Sequence, residues 1–366
     1  MEFIASVEEL TKNLGLLQGI SERRATMPIL SHVLILASDN KINITSTDLE
    51  TTMSIWVECE VKKQGSISLP ARKMFEILRE IEDDKVKIGD IGNNWVEIST
   101  RNSTFKIAGL SSEEFPQRPE MASDSLSIIN STVFDDMINK TIFAVSQDEL
   151  RRNLAGIYFE KVGESRIRLV ATDGHRLSMV ESEVDNEIVV EKGVVIPRKG
   201  VSELRKIIKL SEEVAMGFGK NAFYAKSGNV VLVSRLIDAD FPDYKQVTPE
   251  SSSFNISIGR RGLLNALRRV SLFSSEKTRS IKLKIDSGVM VLSSISPEVG
   301  EAEESLEIDF EGGPLELGFN STYFIEAIEV IEEDNIRLGL TDELSPATIS
   351  AVGNDNYISV IMPMRI

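Results

Sequence analysis

A single cysteine in 366 residues, Cys59, leaves this chain with no internal disulfide and no thiolate cluster for a metal. It lies in the strand-like run Ile55-Trp56-Val57-Glu58-Cys59-Glu60, where a structural thiol is the simpler role. Two histidines, His32 and His175, are the only imidazoles. No apolar stretch approaches about 18 residues, so no helical membrane span is expected. The first residues lack a basic start followed by a long apolar core, so no secretory signal is expected and the chain should stay in the cytoplasm. No G-x-x-x-x-G-K-[ST] loop is present, no G-x-G-x-x-G follows a strand, and no metal-ligand spacing occurs, so neither ATP hydrolysis nor a cofactor is expected.

What is present comes three times. Leu69-Pro70-Ala71-Arg72-Lys73 opens an apolar helical run, and Ile196-Pro197-Arg198-Lys199-Gly200 opens another 127 positions later. Phe115-Pro116 is echoed by Phe241-Pro242 and Thr47-Asp48 by Thr172-Asp173, at offsets of 126 and 125. A third of the length is 122 residues, and repeated modules usually work by arraying a surface. Helical periodicity predicts six helices, over 7–21, 70–81, 131–146, 197–209, 259–274 and 320–332. Ser6 is the expected cap of the first, and Pro70 and Pro197 are expected in the first turn of theirs. Between the helices the pattern turns to strands: Val33–Leu36 against Ile42–Thr45 across Asp39-Asn40, and Trp95–Ile98 against Thr104–Ile107 across Arg101–Ser103. Each module therefore reads as α+β, two helices on antiparallel sheet. Segments 116–130 and 242–253, rich in Ser, Pro and acidic residues, read as connections, giving modules 1–122, 123–248 and 249–366.

The net charge is −16, which taken alone argues against nucleic acid. Its distribution reverses that argument. The six predicted helices hold 14 Lys+Arg against 10 Asp+Glu, leaving −20 on the remainder. Arg198, Lys199, Arg205, Lys206 and Lys209 cluster in one helix, Arg260, Arg261, Arg268 and Arg269 in another, and Arg23-Arg24 follows the first. Solvated helix faces would account for such runs. A basic surface built from all three modules and following a polyanion accounts for them too, through counterion release that is blind to sequence. Aromatics are scarce in these helices, which favours a duplex backbone over stacked single strands. Glu326, Glu329 and Glu332 count against the idea by making the last helix acidic.

Thr172-Asp173-Gly174-His175-Arg176-Leu177 is the one enzyme-like constellation, since an Asp and a His two apart can in principle orient a general base. No serine or cysteine nucleophile motif accompanies it, and the other thirds lack the histidine. A turn forming the polar rim of an apolar pocket fits better than a hydrolase or transferase centre. A protein-only repeat scaffold is the third possibility. The apolar end, Val360 to Ile366, reads either as a final core strand or as an adaptable methionine-rich patch.

Ala171 to Leu177, Ile196 to Gly200, Phe241-Pro242-Asp243-Tyr244 and Met362-Pro363-Met364-Arg365-Ile366, in this order and spacing, resemble the bacterial DNA sliding clamps, the beta subunits of DNA polymerase III, from Met1 to Ile366. The resemblance implies a non-catalytic head-to-tail homodimer, six modules in a closed ring around duplex DNA, with helices lining the hole. It implies DNA contact by Arg24, Arg72, Arg79, Gln147, Arg198, Lys199, Arg205 and Arg269. It implies a partner pocket between the second and third modules, formed by Leu154, Thr172, Gly174, His175, Arg176, Leu177, Pro242, Val247, Tyr323, Val360, Met362, Pro363, Met364 and Arg365. Short Gln- and Leu/Phe-containing peptides of the polymerase III catalytic subunit, the clamp loader, and other polymerases and repair proteins would bind there. Gln246 stands where relatives often have a basic residue. Ring closure would join Phe105 and Ile107 to Leu272 and Phe273. Lacking a phosphate-cradling loop, the chain would need a separate ATP-driven loader, and no metal, cofactor or membrane.

Overall fold

The structure, a computed structural model, describes every residue except 22–26, 118–125, 149, 185–187, 191, 250 and 366. Among the described residues six α-helices form: α1 (Val7–Leu17), α2 (Ala71–Arg79), α3 (Ser131–Asn139), α4 (Arg198–Ile208), α5 (Arg260–Ser271) and α6 (Ser321–Glu329). Each falls inside a predicted helix and stops short of it. The Ser6 side chain accepts from the Glu9 amide at 3.4 Å and so caps α1 as expected. Helix α3 ends early because the chain tightens there: the Thr141 hydroxyl bonds back to the Met137 and Ile138 carbonyls, and a 3₁₀ turn over Ile142–Ala144 follows. Pro70 and Pro197 depart from the helical positions expected of them. They close the strands Gly65–Pro70 and Val194–Pro197, each at the edge of its sheet, where a missing N–H leaves no ladder bond unmade. Gly200 has a packing reason, because a Cβ there would sit 2.6 Å from the Ser234 hydroxyl.

The described residues form two compact units. The first comprises chiefly Met1–Thr132 with Lys199–Leu236, the second chiefly Val133–Val184 with Ile237–Ile366, so the middle third contributes to both. In the first unit a five-stranded sheet runs Glu60–Lys63, Glu2–Ser6, Lys85–Gly92, Trp95–Ser99, Thr104–Ala108. An eight-stranded sheet runs Ser127–Asn130, Glu213–Phe218, Ala222–Ser227, Val230–Arg235, Thr51–Glu58, Lys41–Thr47, His32–Ser38, Gly65–Pro70. The Asp39-Asn40 turn has both residues at positive φ, the conformation that matches strand twist in a two-residue hairpin. Both predicted strand pairs form, Ile35 opposite Ile44 and Ile98 opposite Phe105. Three helices, α1, α2 and most of α4, pack their apolar faces here. Val7, Leu10, Leu14 and Leu17 of α1 are buried, each burial contributing about 1.5–3 kcal/mol of gross transfer energy.

In the second unit an eight-stranded sheet runs Val194–Pro197, Gly156–Val162, Arg166–Thr172, Arg176–Glu183, Asn354–Ile361, Ala347–Ala351, Asn335–Leu340, Phe254–Gly259. A four-stranded sheet runs Gly300–Glu307, Val289–Ser296, Ser280–Asp286, Leu315–Asn320. Each sheet in both units is antiparallel at every described pairing. The strand-long joins are the points of interest. In the first unit Ser234 lies opposite Thr51, and in the second Ile361 lies opposite Arg176, so strands from different thirds are stitched edge to edge. Among the described residues no helix is long and apolar enough to cross a membrane.

Candidate functional site: basic helices and an apolar cleft

Helices α4 and α5 carry the densest positive charge, four basic residues each. Arg72 and Lys73 of α2 share Glu76 at 2.8 and 3.0 Å, and Arg79 reaches Glu80 at 3.1 Å, all well exposed. Lys199 pairs with the carboxylate of Asp48, whose side chain is otherwise buried in its turn. Arg269 forks onto Glu304, and that guanidinium holds the Glu304 carboxyl below the usual carboxylate range. Arg198 and Gln147 are exposed and Arg205 half-buried. Arg24 lies outside the described residues. The acidic α6 has a local explanation: Glu326 pairs with Arg176 and Glu329 with Arg268, so these carboxylates serve as counter-ions inside the second unit.

The second unit also holds a cleft of about 170 Å³. Its floor is Leu154, Leu177 and Val360, and its walls include Pro242, Val247 and Met362. Thr172, Gly174 and Arg176 edge it. Nine of the residues assigned by resemblance therefore surround one cavity. The rest fall nearby or apart. The His175 carbonyl accepts from Met362 N at 2.9 Å, while its side chain stays exposed. Tyr323 sits with its ring 4.5 Å from the Arg176 guanidinium. Met364 N donates to the Gly318 carbonyl, and neither Pro363, Met364 nor Arg365 lines the cavity. The final strand stops at Ile361, so the two alternatives for the chain's end divide there: core strand up to Ile361, partly exposed Met362 beyond it.

The turn that edges the cleft explains why Asp173 and His175 stand two apart. One Asp173 oxygen accepts from the His175 and Arg176 amides at 2.9 and 3.1 Å, and the other from Arg176 Nε at 3.1 Å. The carboxylate shapes a turn and neutralises an arginine, leaving neither oxygen to orient an imidazole. Thr47-Asp48 repeats the design, with Asp48 accepting from Glu50 and Thr51. Gly174 takes φ +89°, a conformation glycine adopts without strain. Arg176 is only 9% exposed and is held by Asp173, Glu326 and the Phe143 carbonyl. Burial, with the carboxylate of Glu58, pushes the Cys59 thiol up to about 11, in keeping with an inert structural role. Among the described residues no group of three His, Cys, Asp or Glu side chains could hold a metal.

Two cleft residues escape the sequence reading. Asp243 and Tyr244 line the cavity, and the motif Phe241-Pro242-Asp243-Tyr244 is the signal that carries them. The segment that reads as a connection in the sequence is thus a cleft wall. Phe105 and Ile107 lie on Thr104–Ala108, the outermost strand of the five-stranded sheet. Leu272 and Phe273 follow α5, with Leu272 72% exposed, and Phe273 packs near Gly300 at the start of the outermost strand of the four-stranded sheet.

Comparison with known proteins gives one answer along the whole chain. Residues 1–119, 128–243 and 245–365 match the N-terminal, central and C-terminal domains of the DNA polymerase III beta subunit. The chain is 32% identical to the beta sliding clamp of Pseudomonas putida and 30% identical to that of Escherichia coli K12, each alignment covering 100% of both proteins. Among solved structures, the DNA polymerase III subunit beta of Pseudomonas aeruginosa superposes with a TM-score of 0.95 at 32% identity, and the sliding clamp of Caulobacter crescentus with 0.95 at 30%, again over 100% of both chains.

Proposed function

The chain belongs to the DNA polymerase III beta subunit family, the sliding clamps, and from that membership and its own geometry we propose which of its residues do the family's work. The function itself is that of a non-catalytic processivity factor, which encircles DNA and tethers the polymerase.

Two copies close head to tail into a ring. The observation that carries this is a joint made twice and left open once. Val230–Arg235 pairs with Thr51–Glu58, and Asn354–Ile361 with Arg176–Glu183. The strands that correspond to these in the first and third modules are Thr104–Ala108 and Gly300–Glu307, and among the described residues each is an unpaired sheet edge. Long bare edges are a hazard that proteins cover. A second copy covers both, with Phe105, Ile107, Leu272 and Phe273 as the apolar side of the joint. Within the ring, Arg24, Arg72, Arg79, Gln147, Arg198, Lys199, Arg205 and Arg269 face the duplex. Their attraction to phosphates is diffuse and exchangeable, so it holds the ring near the axis without fixing a position along it.

The apolar cleft receives short peptides from the polymerase III catalytic subunit, the loader and other polymerases and repair proteins. A shallow apolar floor with a few polar groups at its edge suits leucine and phenylalanine side chains with a glutamine at the rim. Gln246, hydrogen-bonded to Asp243 at 3.0 Å, leaves that rim without the cation its relatives often place there. Ring opening falls to an ATP-driven loader, and the protein works in the cytoplasm.

Topology tests the proposal. Loaded by its cognate loader onto a nicked circular plasmid, the protein should co-elute with the DNA, and cutting the circle once should release it. Equal retention before and after linearisation would mean surface binding and would overturn encirclement.

A further inference from the structure

Beside the cleft lies a charged rung that neither peptide contact nor DNA contact explains. Glu160, Arg168 and Glu181 stand opposite one another on three neighbouring strands of the second unit. Arg168 Nη1 donates to Glu160 at 2.8 Å, and Nε and Nη2 donate to Glu181 at 2.8 and 2.5 Å. All three side chains are largely buried, on the face opposite the core residues Ile167 and Leu169. The Tyr244 hydroxyl inserts into this rung, donating to Glu160 and accepting from Arg168 Nη1. Burial pushes the Tyr244 phenol up from its ordinary value, so it stays protonated and able to donate.

The same sheet face continues from charge to cleft in ordered steps. The next set across the strands is Tyr158, Val170 and Met179, and the one after it includes Thr172 and Leu177, with Val360 alongside. Segment 241–247 lies over these steps. It is fastened by Phe241 stacked on Tyr158, 4.8 Å between centroids and 9° from parallel, and by the Tyr244 hydroxyl in the rung. Between those points the Tyr244 ring packs on Val170, Leu177 and Val360 and becomes a wall of the cleft. Apolar packing is non-directional and would let the ring slide. Hydrogen bonds to charged partners fix both distance and direction.

We propose that Glu160 and Arg168 are positioning residues for the cleft: they fix the Tyr244 hydroxyl, and through its ring set the width of the site that receives a partner peptide. The inference rests on the cleft being the peptide site. A pre-set wall spares the binding step the ordering of a mobile side chain, which should appear as slower peptide dissociation.

A fluorescein-labelled synthetic peptide carrying glutamine, leucine and phenylalanine, titrated into the full chain, tests this. Tyr244→Phe should weaken binding about tenfold, through faster dissociation, with little change in melting temperature. Glu160→Ala should weaken binding as much and also lower the melting temperature, because the largely buried Arg168 keeps only Glu181 as its carboxylate partner. Glu160→Gln keeps an acceptor for the phenol and should restore affinity to within about twofold of the parent. Leu177→Lys, in the floor, should abolish binding. If Leu177→Lys abolishes binding while Tyr244→Phe and Glu160→Ala bind as the parent does, the positioning role is wrong and the cleft stands. If Leu177→Lys binds normally, the cleft assignment fails and the inference with it. If Glu160→Gln is as weak as Glu160→Ala, an acceptor for the Tyr244 phenol does not set the affinity, and the positioning role is overturned.

Discussion

Arg176 shows what one residue can tie together. Its guanidinium meets Asp173 from its own turn, Glu326 from α6 and the Phe143 carbonyl, and it lies over the rings of Phe143 and Tyr323. Removing the cation leaves two carboxylates facing each other in a poorly solvated place. Arg176→Met should therefore destabilise the protein by about 3 kcal/mol, the usual cost of breaking a buried pair from one side. Arg176→Lys should recover only part of that, because an ammonium cannot fork between three acceptors. Urea midpoints read both, and an unchanged midpoint for Arg176→Met would contradict the role. The sequence shows the local half of this design. Thr172 to Leu177 reads as a polar turn at an apolar pocket, because no nucleophile motif accompanies Asp173 and His175 and the other thirds lack the histidine. The other half is hidden, since Glu326 is 150 positions away and nothing in a helical pattern says which distant charge a glutamate will meet. Tyr244 escapes for the same reason, its partners lying 76 and 84 positions back.

At the scale of elements, the helices are legible because each buries an apolar stripe every three to four residues, and that stripe is local information. Their ends are less so, as α3 shows, where a threonine hydroxyl competing for backbone carbonyls stops the helix ahead of its apolar pattern. The short strands before the helices, such as Glu2–Ser6 and Phe254–Gly259, are invisible behind the stronger helical signal. Charge on the helices is legible in number but not in pairing. Most of the cations described above carry a carboxylate partner within the same unit. Exposed pairs of this kind contribute about 0–1 kcal/mol, so a passing phosphate can exchange for the carboxylate at little cost. Replacing Arg268 and Arg269 by alanine should then leave the urea midpoint nearly unchanged. It should lower affinity for linear duplex DNA and reduce the slope of log affinity against log salt by about 1 for each phosphate the helix no longer neutralises. Fluorescence anisotropy across a salt series measures this. A parent-like slope would remove α5 from the DNA-facing surface.

At the scale of the whole molecule, the repeat is legible from the Thr-Asp and Phe-Pro echoes of the first two thirds and from the pair of helical patterns in every third, but the stitching of the modules is not. Ser234 meets Thr51 across 183 positions, and only the sheet topology reveals it. That stitching also predicts the register of the joint between copies. The hairpin pairs Met290 with Leu306 and Ser296 with Gly300, which makes Gly300 the counterpart of Thr51 and Arg176. The isolated bridges Ser68 to Leu110 and Val195 to Ile237 make Ile107 the counterpart of Ser234. Gly300 should therefore oppose Ile107 of the second copy, Glu301 should oppose Lys106, and Ala302 should oppose Phe105. This register is self-consistent, since it puts Phe105 and Ile107 on the side of the sheet that faces the core and sets a lysine against a glutamate on the other. Opposed Cβ atoms lie about 4.5–5.5 Å apart, close to disulfide reach, while diagonal neighbours do not. With Cys59 replaced by alanine, Lys106→Cys combined with Glu301→Cys should oxidise to a covalent dimer of twice 40.6 kDa. Lys106→Cys combined with Glu303→Cys should cross-link far more slowly. Both joints of a two-fold ring lock together, so a ring oxidised after loading onto closed circular DNA should stay with that DNA in detergent that unfolds it. Loss in detergent despite complete cross-linking would mean that the two copies join without enclosing the duplex.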